Sequence, residues 1–159
     1  MAPIITNIET AMKTAIDAMT VVGGYNYNWN SPHQPDLALA SFPCCVILIE
    51  SERCVDDQNG SDERVYTNEV DFLLIVTGQL SSTTDIPNYS INAEHNKALD
   101  DLKKVFGTNY HITNTCDKIM YLGMEREIKK NGDIYVPGEM ATRWKVYYRQ
   151  DRLTPETTG

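Results

Sequence analysis

Two acidic residues on one predicted strand are the closest approach in this sequence to a metal-binding or catalytic pattern. Glu69 and Asp71 stand two positions apart, so in a strand their carboxylates lie on the same face. Carboxylates at this spacing can hold Mg²⁺, and Lys103 or Lys145 would then stabilise phosphate charge in a metal-dependent hydrolase or nuclease. Nothing in the spacing demands such a site. An exposed strand face is therefore the favoured interpretation, and the hydrolase is kept as an alternative.

A second acidic segment, residues 56–63 (DDQNGSDE), has the composition of a calcium-binding loop. An EF-hand loop needs glycine at its sixth position and acidic ligands at its first and twelfth. If Gly60 is the sixth residue, Val55 is the first and Tyr66 the twelfth, so the pattern fails at both ends. We therefore predict a solvated acidic turn.

The histidines and cysteines form no ligand or nucleophile motif. The three histidines are scattered, at His33, His95 and His111. The cysteines are Cys44, Cys45, Cys54 and Cys116, and we expect free thiols, as is usual in a cytoplasm. The sequence contains no P-loop and no G-x-G-x-x-G motif. We predict no catalytic residue, no cofactor and no bound metal.

Length and charge restrict the remaining classes of function. The chain has 159 residues, which predicts a single α+β domain over residues 1–152 and a flexible C-terminal tail at 153–159. Acidic residues outnumber basic ones, 22 to 14, for a net charge of −8. This charge opposes general attraction to nucleic acid or to an anionic membrane, so neither is an expected partner. No secretion signal or long apolar span is apparent, which favours folding in a cytoplasm.

The hydrophobic periodicity predicts two helices and five strands. Apolar residues at three- and four-residue spacing indicate helices, the second one capped by Ser90 and Gly107. Alternating or continuous apolar runs indicate strands, and the 43–50 and 66–77 strands are expected to be central because they are apolar on both faces. The helices are Ile4–Met19 and Ile91–Phe106, and the strands are Tyr25–Asn30, Pro43–Glu50, Tyr66–Thr77, Lys118–Ile128 and Met140–Arg149.

This order, α-β-β-β-α-β-β, predicts an α+β fold. Each helix has one apolar stripe, so we expect a single mainly antiparallel sheet with two helices packed on one face. The aromatic residues of the first strand, Tyr25, Tyr27 and Trp29, have no interleaved basic residues. They therefore favour core packing or a protein interface over stacking on nucleic-acid bases.

The succession of these segments resembles the tail-completion, or tail-terminator, proteins of long-tailed bacteriophages. The resemblance is carried by the N-terminal helix, the aromatic segment after Gly23-Gly24, and four further segments: FPCCVILIE, YTNEVDFLLIV, ALDDLKKVFG and TRWKVYYRQDRLTP. Proteins of this family are small and form a ring, usually a hexamer, on the last ring of the tail tube. The resemblance implies a virion structural protein at the head–tail junction that stops tube elongation and presents a docking surface to the neck.

The partners implied by this resemblance are copies of the chain itself, the tail tube protein and a neck or connector protein, with the sheath added if the tail contracts. The implied location is the head-proximal end of the tail in the virion, after assembly in the host cytoplasm. Head-completion and stopper proteins of the neck are similar in size and remain an alternative. Loops 51–64 and 78–90 are the expected docking surfaces. The candidate interface residues are Glu52, Arg53, Asp56, Asp57, Asp62, Glu63 and Arg64.

Overall fold

The computed structural model describes seven segments of the chain, residues 2–29, 42–55, 65–78, 88–127, 129–131, 134–136 and 139–151. Two helices flank the first two strands, and the remaining strands follow the second helix. The helices are α1 (Ile4–Asp17) and α2 (Asn88–Thr108), and the strands are β1 (Cys44–Cys54), β2 (Val65–Thr77), β3 (Lys118–Arg126), β4 (Lys129–Asn131), β5 (Ile134–Val136) and β6 (Met140–Asp151).

The four long strands form one antiparallel sheet in the order β1-β2-β6-β3, and the short strands β4 and β5 pair as a separate antiparallel hairpin. Both helices contribute their apolar stripes to one core with one face of the four-stranded sheet. The predicted fold class, α+β with a mainly antiparallel sheet and two helices on one face, is confirmed. The predicted tail at residues 153–159 lies outside the described residues.

The core lies between the helices and alternate residues of the two central strands, β2 and β6. Trp144 of β6 packs edge-on against Phe106 of α2, with ring centroids 5.2 Å apart. The Trp144 indole N–H donates to the Thr142 hydroxyl (2.8 Å), which in turn donates to the Leu74 carbonyl (2.9 Å), so these buried polar groups are satisfied. The apolar residues of β2 and β6 on this face are Val70, Phe72, Leu74, Val76, Met140, Trp144, Val146 and Tyr148.

The prediction that the 43–50 strand is central is wrong, because β1 is an edge strand and β6 occupies the second central position. Only the beginning of the apolar run, Cys44 to Val46, is buried, whereas Leu48 and Ile49 are 38% and 41% exposed. A continuous apolar run is expected both for a strand covered on two faces and for an edge strand that the monomer leaves partly open. The sequence pattern does not separate these two cases.

The end of α2 also differs from the prediction. The helix starts at Asn88, before Ser90, and runs through Gly107 to Thr108, so Gly107 is not a left-handed cap. The chain reverses four residues further on, where Ile112, Thr113 and Asn114 all have positive φ angles. This conformation costs roughly 1–2 kcal/mol for each residue that is not glycine, and burial of the Ile112 side chain offsets part of that cost.

Residues 25–29, which make up nearly all of the strand predicted at Tyr25–Asn30, do not form a strand. This irregular segment is held against α2 by the buried carboxylate of Asp101. One Asp101 oxygen accepts the Asn26 N–H at 2.8 Å, and the other accepts the Tyr27 N–H at 3.2 Å and the Trp29 indole N–H at 2.9 Å. The Lys104 ammonium adds a hydrogen bond to the Gly24 carbonyl at 2.7 Å. The aromatic residues thus pack toward α2 without strand pairing.

Replacing Asp101 is expected to destabilise the fold strongly. Asp101→Ala leaves two backbone N–H groups and the Trp29 indole without their acceptor, so we expect a loss of about 2–4 kcal/mol in the free energy of unfolding. Asp101→Asn keeps one carbonyl oxygen and should lose less. Asp100→Ala, on the exposed side of the same helix turn, is the control and should cost under about 0.5 kcal/mol. Equal losses for the Asp100 and Asp101 variants in chemical denaturation would contradict this role.

Candidate functional site

The face of the sheet that the helices leave uncovered is the most extended candidate surface in the described part of the chain, and it is called here the helix-free face. It is built from the residues of β2 and β6 that alternate with the core residues. Antiparallel register sets them in four cross-strand pairs: Glu69 with Tyr147, Asp71 with Lys145, Leu73 with Arg143, and Ile75 with Ala141. One half of this face is therefore charged and the other half is mainly apolar.

The charged half is a network of paired side chains. Glu69 pairs with Arg53 across β1–β2 and with Lys145 of β6, whose ammonium lies 3.4 Å away. The Lys145 ammonium also lies 3.9 Å from Asp71, which accepts a hydrogen bond from the Ser51 hydroxyl at 3.1 Å. The Arg53 guanidinium, with help from Lys145, lowers the pKa of Glu69 below its usual value. Glu69 is thus held in its ionised form, and both carboxylates lie beside the Lys145 ammonium.

The ion-pair network contains both carboxylates of the hypothetical metal site. Glu69 and Asp71 do lie side by side, and Lys145 stands next to them as considered from the sequence. Lys103 does not, since its ammonium lies over the Tyr121 ring at 4.5 Å, on the helix side of the sheet. Arg53, assigned to a loop from the sequence, is the second cation. Among the described residues, no group of three or more His, Cys, Asp or Glu side chains is placed to hold a metal ion.

The apolar half of the helix-free face lies toward the N-terminal end of β1. Leu48 pairs with Leu73, and Val46 pairs with Ile75, across the β1–β2 ladder. A β-bulge at Glu50 interrupts this ladder. It allows the Glu50 carboxylate to accept two hydrogen bonds from Arg143, at 2.6 and 2.7 Å, at the border of the two halves.

The structure changes the bounds of the two predicted docking loops. Residues 51–54 belong to β1, so Glu52 and Arg53 are strand residues. The Tyr148 hydroxyl donates to the Glu52 carboxylate, and together with burial this raises the pKa of Tyr148. Asp56, Asp57, Asp62, Glu63 and Arg64 lie outside the described residues, as do residues 79–87 of the other loop, while 88–90 belong to α2.

The two loops leave β2 at opposite ends. One precedes Val65 and the other follows Gly78, and β2 has 13 residues between them. A strand of that length spans about 40 Å. The bases of the two loops are therefore separated by the length of the sheet.

His95 is a buried residue that the sequence analysis passed over as one of three scattered histidines. It is fully buried on α2, and neither ring nitrogen has a hydrogen-bond partner in the described structure. Its ring lies 5.9 Å from the Phe42 ring. Burial, and to a smaller degree the positive charge of Arg126, lowers the pKa of His95 to about 4, against a weak opposing effect of Glu94. Its position on the apolar stripe of α2, four residues after Ile91, is the signal that indicates burial.

The cysteines do not form a nucleophilic site. Cys44, Cys45 and Cys116 are buried free thiols, and Cys54 is an exposed one. Burial raises the pKa of Cys116 to about 12, so this thiol stays protonated. The nearby His111 ring contacts the Asp117 carbonyl at 2.8 Å and does not serve as a base for Cys116.

Comparison with known proteins adds no functional assignment: no protein-family model matches the chain, and no curated protein sequence shows significant similarity to it. Within the described segments, no helix is both long enough and apolar enough to cross a membrane.

The ion-pair network predicts that Glu69 and Asp71 do not act as a metal site. Titration of the wild-type chain with Mg²⁺ or Mn²⁺ should show no saturable heat, because Arg53 and Lys145 already neutralise the carboxylates. The double variant Glu69→Gln, Asp71→Asn should behave identically, and Glu125→Gln on β3 is the matched control. Micromolar metal binding that the double variant loses and the Glu125 variant keeps would support the hydrolase alternative.

Burial of neutral His95 predicts a pH-dependent stability. Because its pKa falls from 6.5 in the unfolded chain to about 4 in the folded one, protonation favours unfolding. The free energy of unfolding should be unaffected by this group above pH 6.5 and should decrease by about 3 kcal/mol as pH falls toward 4. Denaturation curves of His95→Leu should lack this part of the slope, whereas His111→Leu should retain it. Parallel curves for wild type and His95→Leu would show that the buried imidazole is not the cause.

Proposed function

We propose that this chain is a virion assembly protein that forms a ring at the head-proximal end of a long phage tail. The ring binds the last ring of the tail tube, stops its elongation and presents a docking surface to the neck. Its partners are copies of itself, the tube protein and a neck protein, with the sheath added in a contractile tail. The chain performs this function by binding and geometry, without a chemical step.

The proposal rests mainly on one observation, which is that the helices cover only one face of the sheet. In the described part of the chain, helices cover one face, the other face is partly exposed, and both edge strands carry exposed large apolar side chains. A subunit of a closed ring needs two different lateral surfaces, one for each neighbour. The two opposite edges of a single sheet supply surfaces of that kind. The tail location within the virion rests on the resemblance of the segments quoted from the sequence.

The positions of the two long loops support a capping role. A ring that joins a tail tube to a neck needs one axial surface for each partner. Residues 56–64 and 79–87 start from opposite ends of β2, about 40 Å apart along the strand, so they can serve two different partners. Residues 56–64 carry charges of both signs, with acidic residues in excess. Mixed charges favour register-setting contacts between proteins.

Replacing each loop separately tests this division of roles. In one variant residues 56–64 become an Asn-Gly turn, and in the other residues 79–87 become a short Gly-Ser linker. Circular dichroism should show that both variants fold, because the sheet and helices are kept. One variant should give abnormally long tails in electron micrographs, and the other should give tails of normal length that fail to join heads.

Three results distinguish the alternatives. Normal tails and normal head joining with both variants would remove the loops from the function. Normal tail length in every variant and in the complete absence of the chain, with head joining alone lost, would indicate a head-completion or stopper protein instead of a terminator. A wild-type chain that never associates with tail tubes would overturn the proposal.

A further inference from the structure

Both edge strands of the sheet expose large apolar side chains. On β1, Leu48 and Ile49 are 38% and 41% exposed, and on β3, Met120 and Leu122 are 42% and 51% exposed. Within the described segments, neither strand pairs with another strand on its outer side. An edge strand with exposed apolar residues is a site where another strand can add, because its outward backbone N–H and C=O groups lack partners.

The directions of the four strands determine which strand can add. Each neighbouring pair is antiparallel, so in the order β1-β2-β6-β3 the two edge strands run in opposite directions. A second copy placed beside β3 in the same orientation therefore brings its own β1 alongside as an antiparallel partner. The helices of both copies then lie on the same side of one continuous sheet.

The side chains of the two edges are complementary in this arrangement. The Ile119 amide already donates to the Tyr110 carbonyl at 3.0 Å, so the available edge of β3 begins beyond it, at Tyr121. Pairing Ile49 with Tyr121 sets Leu48 opposite Leu122 and Glu50 opposite Met120, because the two strands run in opposite directions, so Leu48, Ile49, Tyr121 and Leu122 form the apolar part of the contact.

The charged residues beyond this apolar part of the contact lie on different faces of the sheet. In an antiparallel pair the C-terminal part of β1 lies beside the N-terminal part of β3. Glu52 of one copy projects from the helix side, where it bonds to Tyr148, whereas Lys118 of the next copy projects from the helix-free face over its own Tyr147 ring, so these charges do not meet and the contact is mainly apolar.

We propose that β1 of one copy pairs with β3 of the next, so that the sheet continues from subunit to subunit in a head-to-tail assembly. The strand pairing stands on the edges described above, and its closure into a ring rests on the proposed function. Contacts of this head-to-tail kind form rings when the rotation between neighbours closes and open filaments when it does not.

Charge substitutions at the paired positions test the contact. Leu48→Glu and Leu122→Lys each place a charge in the apolar part of one edge. We expect each variant alone to remain folded by circular dichroism but to lose all species larger than the monomer in native mass spectrometry. The double variant Leu48→Glu, Leu122→Lys should assemble again, because the new charges attract each other across the contact. Val22→Glu is the control, since Val22 is 99% exposed and lies on the turn after α1.

Mixing the two single variants gives a second, independent readout. Each retains one intact edge, so the mixture should contain heterodimers and larger species that neither variant forms alone. Loss of assembly in only one of the single variants would overturn the head-to-tail contact in favour of a two-fold one. Assembly of both single variants at the wild-type level, or a wild-type chain that stays monomeric at its highest soluble concentration, would also overturn it.

The same variants separate this inference from the proposed function. If wild-type chains pair through these edges but leave tail tubes uncapped, the contact stands and the tail function fails. If tube ends are capped equally well by the wild type and by both single variants, the tail function stands and the edge contact fails.

Discussion

In the described part of the chain, two helices cover only one face of the four-stranded sheet. The residues on the opposite face must therefore be stable without a second layer of structure. On the covered face, β2 and β6 present mainly apolar side chains to the helices, interrupted by the hydrogen-bonded Thr142. On the opposite face the same strands must be stable while partly exposed to water. Antiparallel register achieves this by placing Asp71 opposite Lys145 and Glu69 opposite Arg53 at one end, with Leu73 beside Leu48 at the other. Cross-strand pairs of this kind stabilise a sheet without a second layer.

The first part of the chain depends on one carboxylate far away in sequence. Asp101 binds N–H groups at positions 26, 27 and 29, more than 70 residues earlier, and so fixes the path between α1 and β1. Nothing in the sequence indicates this contact, because Asp101 follows Asp100 in a charged stretch of the helix. The alternation of aromatic residues and asparagines after Gly24 is also the sequence pattern of a strand with one exposed face. An irregular segment that turns alternate rings toward a helix produces the same pattern.

Elements with long, regular periodicity were predictable from the sequence, whereas positions set by neighbouring strands were not. Helix α1 and strand β2 lie close to their predicted bounds, and Glu69 and Asp71 share a face as expected. The extension of β1 through residues 51–54 was missed because SERC has no strand-like apolar pattern. These residues are held in the strand by pairing with β2, and Arg53 reaches Glu69 only through that pairing. Local propensity carries no information about such long-range partners.

The open edges raise the question of why the chain would select one partner strand and not associate at random. A net charge of −8 opposes nonspecific approach of two copies. A two-fold contact between β1 strands about Ile49 would bring Glu50 and Glu52 of each copy against Leu48 and Val46 of the other, where carboxylates lose hydration without gaining a cation. Pairing β1 with β3 about Ile49 and Tyr121 instead sets Leu48 against Leu122 and brings the β1 carboxylates of only one copy near apolar side chains. The acidic residues of β1 thus disfavour the symmetric contact, which includes those of both copies, more than the head-to-tail contact, which includes those of one, and this makes an accessible edge more specific.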